Sequence, residues 1–462
     1  MEIGWSLLWF IIAVSLLVTV HEFGHFWVAR KLGFKVLRFS VGFGKPLYKR
    51  VGPAPDHTEF VIAALPLGGY VRMLDERDGE VHPQDLPRAF GSKPPWQRIL
   101  VMLAGPAANI LFAIVVLWVV FWNSGIKSHI PVVGDVTLGS PAAAAGLRSG
   151  DQFVNIGGES VRDHGDVVLG LLDMLSDDGS TDVDVRGRDG QMRHLVVSVP
   201  DEDLRRKMTE PRALFRDLGF NFWLPPLPAR IGGVIEGGPA ALAGLKPGDL
   251  IVAVNGAPIA NYKELVDYIN ARPDQTVSMA VRRGTSDLTI RVNIVRDKDG
   301  DRVIGRIKIT EDTSVVPSYP KELTTNLELG PVEALGASAD RAWELTVTQA
   351  KFFVRMLTGH VSIKNLSGAV SIAEYAGETA HAGPESFIHL LVLLSLSLGF
   401  LNLLPIPILD GGQIVFQIVE WAKGRPLSDR TMMMGQQAGL LLLVLLMGVA
   451  LFNDISGIAA RP

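Results

Sequence analysis

The chain has no cysteine. That excludes disulfide bonds and every thiolate metal site, so a metal ion in this protein has only histidine and carboxylate to hold it. Strong charge of either sign is also missing. The formal net charge is -4 at pH 7 with no long basic run, which removes the electrostatic footprint of a nucleic-acid binder. The sequence begins Met1-Glu2-Ile3 without a basic leader, and no Ala-x-Ala site follows the first apolar run. A cleaved secretory signal peptide is therefore not expected.

Apolar sequence is abundant. The 462 residues, enough for several domains, are 48% hydrophobic. Four segments, near 3–28, 99–122, 387–404 and 433–452, approach the twenty residues that span a bilayer. Arg30, Lys31, Lys35, Arg38, Lys45, Lys49 and Arg50 follow the first, and Lys423, Arg425 and Arg430 lie between the third and fourth. The positive-inside rule puts both loops in the cytoplasm, and both termini and the long middle region on the other side.

His21-Glu22-Phe23-Gly24-His25 reads H-E-x-x-H at the cytoplasmic end of the first span. On a helix, His21 and His25 share a face four residues apart, a spacing that holds one zinc ion. Glu22 is then placed to act as general base on water. Ionisable groups at this depth are costly and point to function.

In the first loop, Thr58–Leu74 contains two β-prone runs flanking Pro66-Leu67-Gly68-Gly69, followed by Tyr70. The pattern predicts a hairpin turning at 66–69 whose edge pairs with an extended substrate, or else an ordinary cytoplasmic hairpin. Phe39–Gly44 is apolar and glycine-rich, suited to dipping into the membrane. In the second span, the small residues of Gly105-Pro106-Ala107-Ala108-Asn109 allow close packing on the first, and Asn109 is expected to bond to a neighbouring helix rather than to metal.

Residues 135–161 and 233–259 align without a gap, with Gly139–Asp151 matching Gly237–Asp249. A period near one hundred residues means two copies of a domain. Each copy predicts a short capped helix, a Gly-Leu turn and a strand, with later strands at 182–185, 276–281 and 288–292. The pair resembles bacterial PDZ domains in circularly permuted form, which bind peptide termini or strands on a sheet edge. Ligand capture and steric filtering of bulky partners both remain open. Farther on, apolar residues recur at helical spacing over 332–357, predicting an amphipathic helix on the outer membrane face or under the second repeat.

A zinc protease site needs three protein ligands and one open position. The strongest third candidate is Asp410, in Asn402-Leu403-Leu404-Pro405-Ile406-Pro407-Ile408-Leu409-Asp410-Gly411-Gly412, at the same membrane depth as the histidines. Pro405 and Pro407 forbid a regular helix, and non-helical backbone at that depth lines a cavity or is buried in protein. Gly411 and Gly412 are expected to allow a tight turn after Asp410. Asn402 is a candidate donor to a substrate carbonyl or, equally, a helix-packing amide.

An H-E-x-x-H in the first span, a tandem PDZ insert and N-x-x-P-x-P-x-L-D-G in the third resemble the site-2 protease family of intramembrane zinc metalloproteases. The resemblance extends over the whole chain, including 61–74, 365–373 and 442–454. It implies a four-helix membrane protein with a cytoplasmic membrane-associated β-hairpin and two periplasmic PDZ domains, in the bacterial inner membrane. The expected divisions are 1–127, 128–222, 223–312, 313–386 and 387–462. It implies His21, His25 and Asp410 as ligands of one zinc ion and Glu22 as catalytic base. Asn402, Pro405, Pro407, Gly68, Gly69 and Tyr70 would handle substrate. It further implies single-span membrane substrates already trimmed by another protease, an anti-sigma factor and remnant signal peptides among them. Gln413, Ala369 and Ser397 depart from the family pattern, where His, Pro and Asn are usual, and bear on substrate contacts rather than on the ligands. A non-enzymatic PDZ scaffold and a zinc transporter are the alternatives. Glu22 argues against the first, and the lack of a ligand path on both leaflets against the second.

Overall fold

A computed structural model describes residues 2–211, 213–299, 302–312 and 319–459. Four of its helices are long and apolar enough to cross a membrane: Ile3–Lys31, Pro95–Ser124, Pro384–Asn402 and Arg430–Gly457. Their outward faces carry exposed leucines, among them Leu7, Leu8, Leu441 and Leu445. In water each such side chain would cost roughly 1.5–3 kcal/mol relative to burial, whereas hydrocarbon accepts them.

The first two helices pack closely through small residues. A Cβ on Gly24 would stand 2.2 Å from the Ala104 carbonyl oxygen and 2.7 Å from the Ala108 methyl, so only glycine permits this approach. The third apolar helix completes the bundle. Leu391 and Phe387 join Ala13 and Leu17 of the first helix, while Val392 and Leu396 join Ala113 and Leu117 of the second.

Between the first two helices, β1 (Val36–Val51) pairs antiparallel with β2 (Glu59–Met73). Each strand bends back on itself. Phe39 lies opposite both Phe60 and Val71, so 36–41 is flanked by 59–62 on one side and by 69–73 on the other, leaving 69–73 at an edge. This corrects the expected hairpin. Residues 66–69 are a bend within one strand rather than a turn between two, and Phe39–Gly44 belongs to its partner. The two strands connect through 52–58. Ser15 of the first helix donates to the Pro66 carbonyl (3.1 Å), which ties the bend to the apolar helix.

The repeat appears as two matching modules. Each has a four-stranded antiparallel sheet in which the first strand in the chain lies between the second and the third; in spatial order these are Glu159–Ser160, Gln152–Ile156, Ser180–Arg186, Met192–Ser198, and Ala257–Pro258, Leu250–Val254, Thr276–Arg283, Ser286–Asn293. The predicted short helices are Pro141–Ala144, capped by Ser140 Oγ on the Ala143 N–H, and Pro239–Leu242. Asp151 and Asp249 end the repeat cores. Each is buried, accepts from the backbone N–H three residues before it, and binds an arginine, Arg193 or Arg283 respectively. Both modules are inserted through a two-stranded ribbon in which β3 (Ile126–His129), leaving the second helix, pairs with Thr324–Leu327. The expected amphipathic helix follows as Pro331–Leu357 and packs on the second span through Ala334 and Ala342.

The segment after the third span is irregular over 403–409, as the prolines require, and then forms a helix, Asp410–Lys423, that the residue pattern does not announce. Gly411 and Gly412 sit in its first helical turn, rather than in a tight turn that follows Asp410. A Cβ on either would stand 2.2 Å from a backbone oxygen, Leu403 O or Ile406 O. Their role is close approach: 403–407 lies directly on the helix start. At the opposite end, Asp454 of the last helix accepts from the N–H groups of Gly368, Val370 and Ser371 and from Ser371 Oγ, while Asn453 donates to the carbonyls of Ile363 and Leu366. The segments 365–373 and 442–454, far apart in the sequence, therefore meet.

Candidate metal centre

The first helix continues unbroken through His25, so His21 and His25 face the second helix together. They have room because Gly105 stands opposite them. Its hypothetical Cβ would be 2.2 Å from His25 Nε2 and 2.8 Å from His21 Cε1. Both histidines are buried. Asp410, the first residue of its helix, reaches in from the other side of the bundle, with Oδ2 3.1 Å from His21 Nε2 and 3.4 Å from His25 Nε2. The two Nε2 atoms are 3.2 Å apart. Among the described residues this is the cluster of His, Asp or Glu whose ligand atoms all lie within 4.8 Å of one another.

These residues fit zinc. Four ligand atoms at ordinary zinc distances form a tetrahedron with edges of about 3.3 Å. The 3.1, 3.2 and 3.4 Å separations outline one face of that figure, leaving the fourth corner for water. The imidazole orientation is supported as well. His25 Nδ1 lies 2.7 Å from the Val101 carbonyl, which only accepts, so Nδ1 carries the proton and Nε2 offers its lone pair.

Glu22 opens onto the same cavity of about 210 Å³, lined by His21, Glu22, His25, Tyr70, Val71, Met73, Met102 and Asp410. Tyr70, Val71 and Met73 of the edge strand line it together with Glu22. The edge strand 69–73 thus runs along the wall of the cavity. Gly69 makes this possible, since its Cβ would stand 3.1 Å from Glu22 Cγ and 2.7 Å from the Ser40 carbonyl. Gly68 accommodates the Phe43 ring, which a Cβ would meet at 2.1 Å. Tyr70 lines the cavity and receives a hydrogen bond from Arg38 (3.1 Å).

Asn402, Pro405 and Pro407 do not line this cavity. Asn402 ends the third span half-buried, and Pro407 packs against Gly435 and Gly439 of the last helix. Of the residues that depart from the family pattern, Gln413 donates to the Pro407 carbonyl (2.8 Å), Ser397 to Gln349 (3.1 Å), and Ala369 opens the helix held by Asp454. Gly105 and Val101 belong to the centre although no sequence motif assigns them to it. The available signal was Gly105 and Asn109 sharing a helix face at the same four-residue spacing as the histidines.

The profile of Peptidase family M50 matches residues 9–446. The chain belongs to peptidase family M50. It is a zinc metalloprotease of the site-2 type, a hydrolase of peptide bonds. The chain is 38% identical to the regulator of sigma-E protease RseP of Escherichia coli K12 over 455 residues, 98% of each chain. It is also 38% identical to protease RseP of Yersinia pestis over 462 residues, 99% of each. A Neisseria meningitidis protein bearing a zinc-metalloprotease name is 37% identical over 461 residues, 98% of this chain and 99% of its own. A solved PDZ domain of an SdrC-like protein from Listeria monocytogenes is similar at 28% identity over 18% of this chain and 83% of its own, with a TM-score of 0.16.

Proposed function

We propose that this M50 peptidase cuts within the transmembrane segments of single-span membrane proteins, using His21, His25 and Asp410 to hold one zinc ion and Glu22 as general base. The observation that carries the reading is the convergence of two imidazoles and one carboxylate beside Glu22, between helices apolar enough to span a membrane. Zinc bound there supplies Lewis acidity to a water molecule and to the scissile carbonyl. Glu22 takes the proton that the water loses and delivers it to the departing amine. The edge strand 69–73 pairs with the substrate backbone once it has unwound, and Gly69 keeps that strand beside Glu22. Tyr70 faces the bound segment. Asn402, Pro405 and Pro407, which lie outside the cavity lining, handle substrate in this reading, with Asn402 as the candidate donor to its carbonyl.

The two modules are PDZ domains on the periplasmic side of the inner membrane, and the centre faces the cytoplasmic leaflet. Basic loops at 30–50 and 423–430 support that orientation. Two relatives bear the name regulator of sigma-E protease, which supports a substrate linked to a sigma factor; a pre-trimmed anti-sigma factor is the substrate proposed, with remnant signal peptides as a further class. The test is reconstitution in lipid with a tagged single-span substrate. Glu22→Gln should lower cleavage by about 10²–10⁴-fold while zinc remains bound. Unchanged cleavage overturns the role of Glu22, and no cleavage by the unmutated, zinc-loaded protein overturns the substrate class.

A further inference from the structure

We propose that Asn109 is a positioning residue for the metal centre, its side-chain oxygen accepting the Nδ1 proton of His21 so that Nε2 stays bare toward the ion. The inference rests on the reading of His21, His25 and Asp410 as the ligand set.

Asn109 is fully buried in the second helix. Its Nδ2 stands 3.3 Å from His21 Nδ1, while its Oδ1, equally buried, has no hydrogen-bond partner among the described residues. The oxygen and nitrogen of a carboxamide are assigned from surrounding hydrogen bonds rather than seen. As drawn, the amide donates to Nδ1, which forces the ring proton onto Nε2. That atom lies 3.1 Å from Asp410 Oδ2 and 3.2 Å from His25 Nε2, where a proton closes the ring to a metal. Turning the amide end for end puts Oδ1 on Nδ1–H and frees Nε2.

His25 shows the same arrangement with a different acceptor, the Val101 carbonyl at 2.7 Å. Metal-binding imidazoles generally donate their second N–H to such a partner, which fixes both tautomer and ring orientation. Geometry along the helices explains why an asparagine serves here. Gly105 and Asn109 are four residues apart on one helix and face His21 and His25, four apart on the other. Gly105 makes room for the rings, and one turn later Asn109 meets the edge of His21. The backbone of Asn109 serves a separate contact, its carbonyl accepting from Ser395 Oγ of the third span at 2.8 Å. Helix packing and ligand orientation therefore use different atoms of one residue and can be separated by mutation.

The experiment uses the full chain in detergent, stripped of metal and titrated with zinc against a competing chelator, alongside melting of the metal-free forms. Asn109→Leu should weaken zinc binding by about 10–100-fold, with metal-free melting unchanged. Asn109→Asp, which only accepts, should restore affinity to within a few-fold of the unmutated protein, and Ser395→Ala should leave it unaltered. If Asn109→Leu fails to fold, Asn109→Asp decides alone, because a role as donor to His21 is lost in it. Wild-type affinity in Asn109→Leu, or a tenfold loss in Asn109→Asp, overturns the inference. An unmutated protein that binds no zinc overturns the ligand assignment itself, a distinguishable failure.

Discussion

Gly105 faces His25 so closely that one added methyl group would lie 2.2 Å from Nε2. The contact atom belongs to a ring held by the Val101 carbonyl and cannot swing aside without losing that bond. Gly105→Ala should therefore displace the imidazole and lower zinc affinity at least about tenfold, the range seen when ligand support is lost. Zinc content per chain after dialysis checks this, with helical circular dichroism expected to stay unchanged.

Gly69 offers a contrast, since it borders Glu22 rather than a ligand. Gly69→Leu should push the edge strand off the Glu22 wall, where even a Cβ stands 3.1 Å from Cγ. The expected outcome is loss of cleavage by about 10²-fold or more, of the order seen for misplacement near 1 Å. Zinc content should stay normal. Loss of both together would place Gly69 in the support of the metal instead.

The Asp454 carboxylate satisfies the first N–H groups of the helix Ala369–Ala382. Asp454→Ala leaves those donors without their acceptor, at about 1–3 kcal/mol for the buried Gly368 N–H and less for the part-buried Val370 and Ser371 groups. Hydrogen exchange should quicken first at 368–371, and the melting temperature should fall, without direct loss of zinc.

Acid should loosen the second module through Asp249. Burial pushes its carboxyl group up, but the Arg283 guanidinium and the Lys246 N–H outweigh burial and hold it below the usual carboxylate range. A group with a lowered folded pKa supplies stability above its unfolded value and loses it as pH falls through the folded one. Exchange in the 244–250 turn should accordingly accelerate below about pH 4, where an unperturbed Asp titrates, and Arg283→Gln should raise exchange already at neutral pH while flattening that acid-dependent increase. An acid-dependent increase that Arg283→Gln leaves undiminished would show that Asp249 is not the group responsible.

Features written in local periodicity were legible in the sequence. The apolar spans, the amphipathic 331–357 helix and the repeated Gly-Leu-x-x-Gly-Asp turn each depend on residues close in the chain. His21 and His25 were legible for the same reason, as was the candidacy of Asp410, because the membrane depth set by topology left few alternatives. The bend at 66–69 was not. Pro-Leu-Gly-Gly is ordinary turn chemistry, and only the pairing of Phe39 with both Phe60 and Val71 shows that the strand continues. Likewise, Gly411 and Gly412 have the look of turn formers, whereas their constraint comes from the Leu403 and Ile406 carbonyls. Contacts between helices that meet only after folding, such as Gly105 with His25, leave no periodic trace.

The close seating of 403–407 on Gly411 and Gly412 has a mechanical consequence. The proline segment and the start of the Asp410 helix are in backbone contact, with no side chain between them to absorb a displacement. A displacement of 403–407 therefore has no compliant layer to cross before it reaches the helix that begins with Asp410. On the proposed role of Pro405 and Pro407 in substrate handling, seating a peptide there and shifting the Asp410 carboxylate would be one movement.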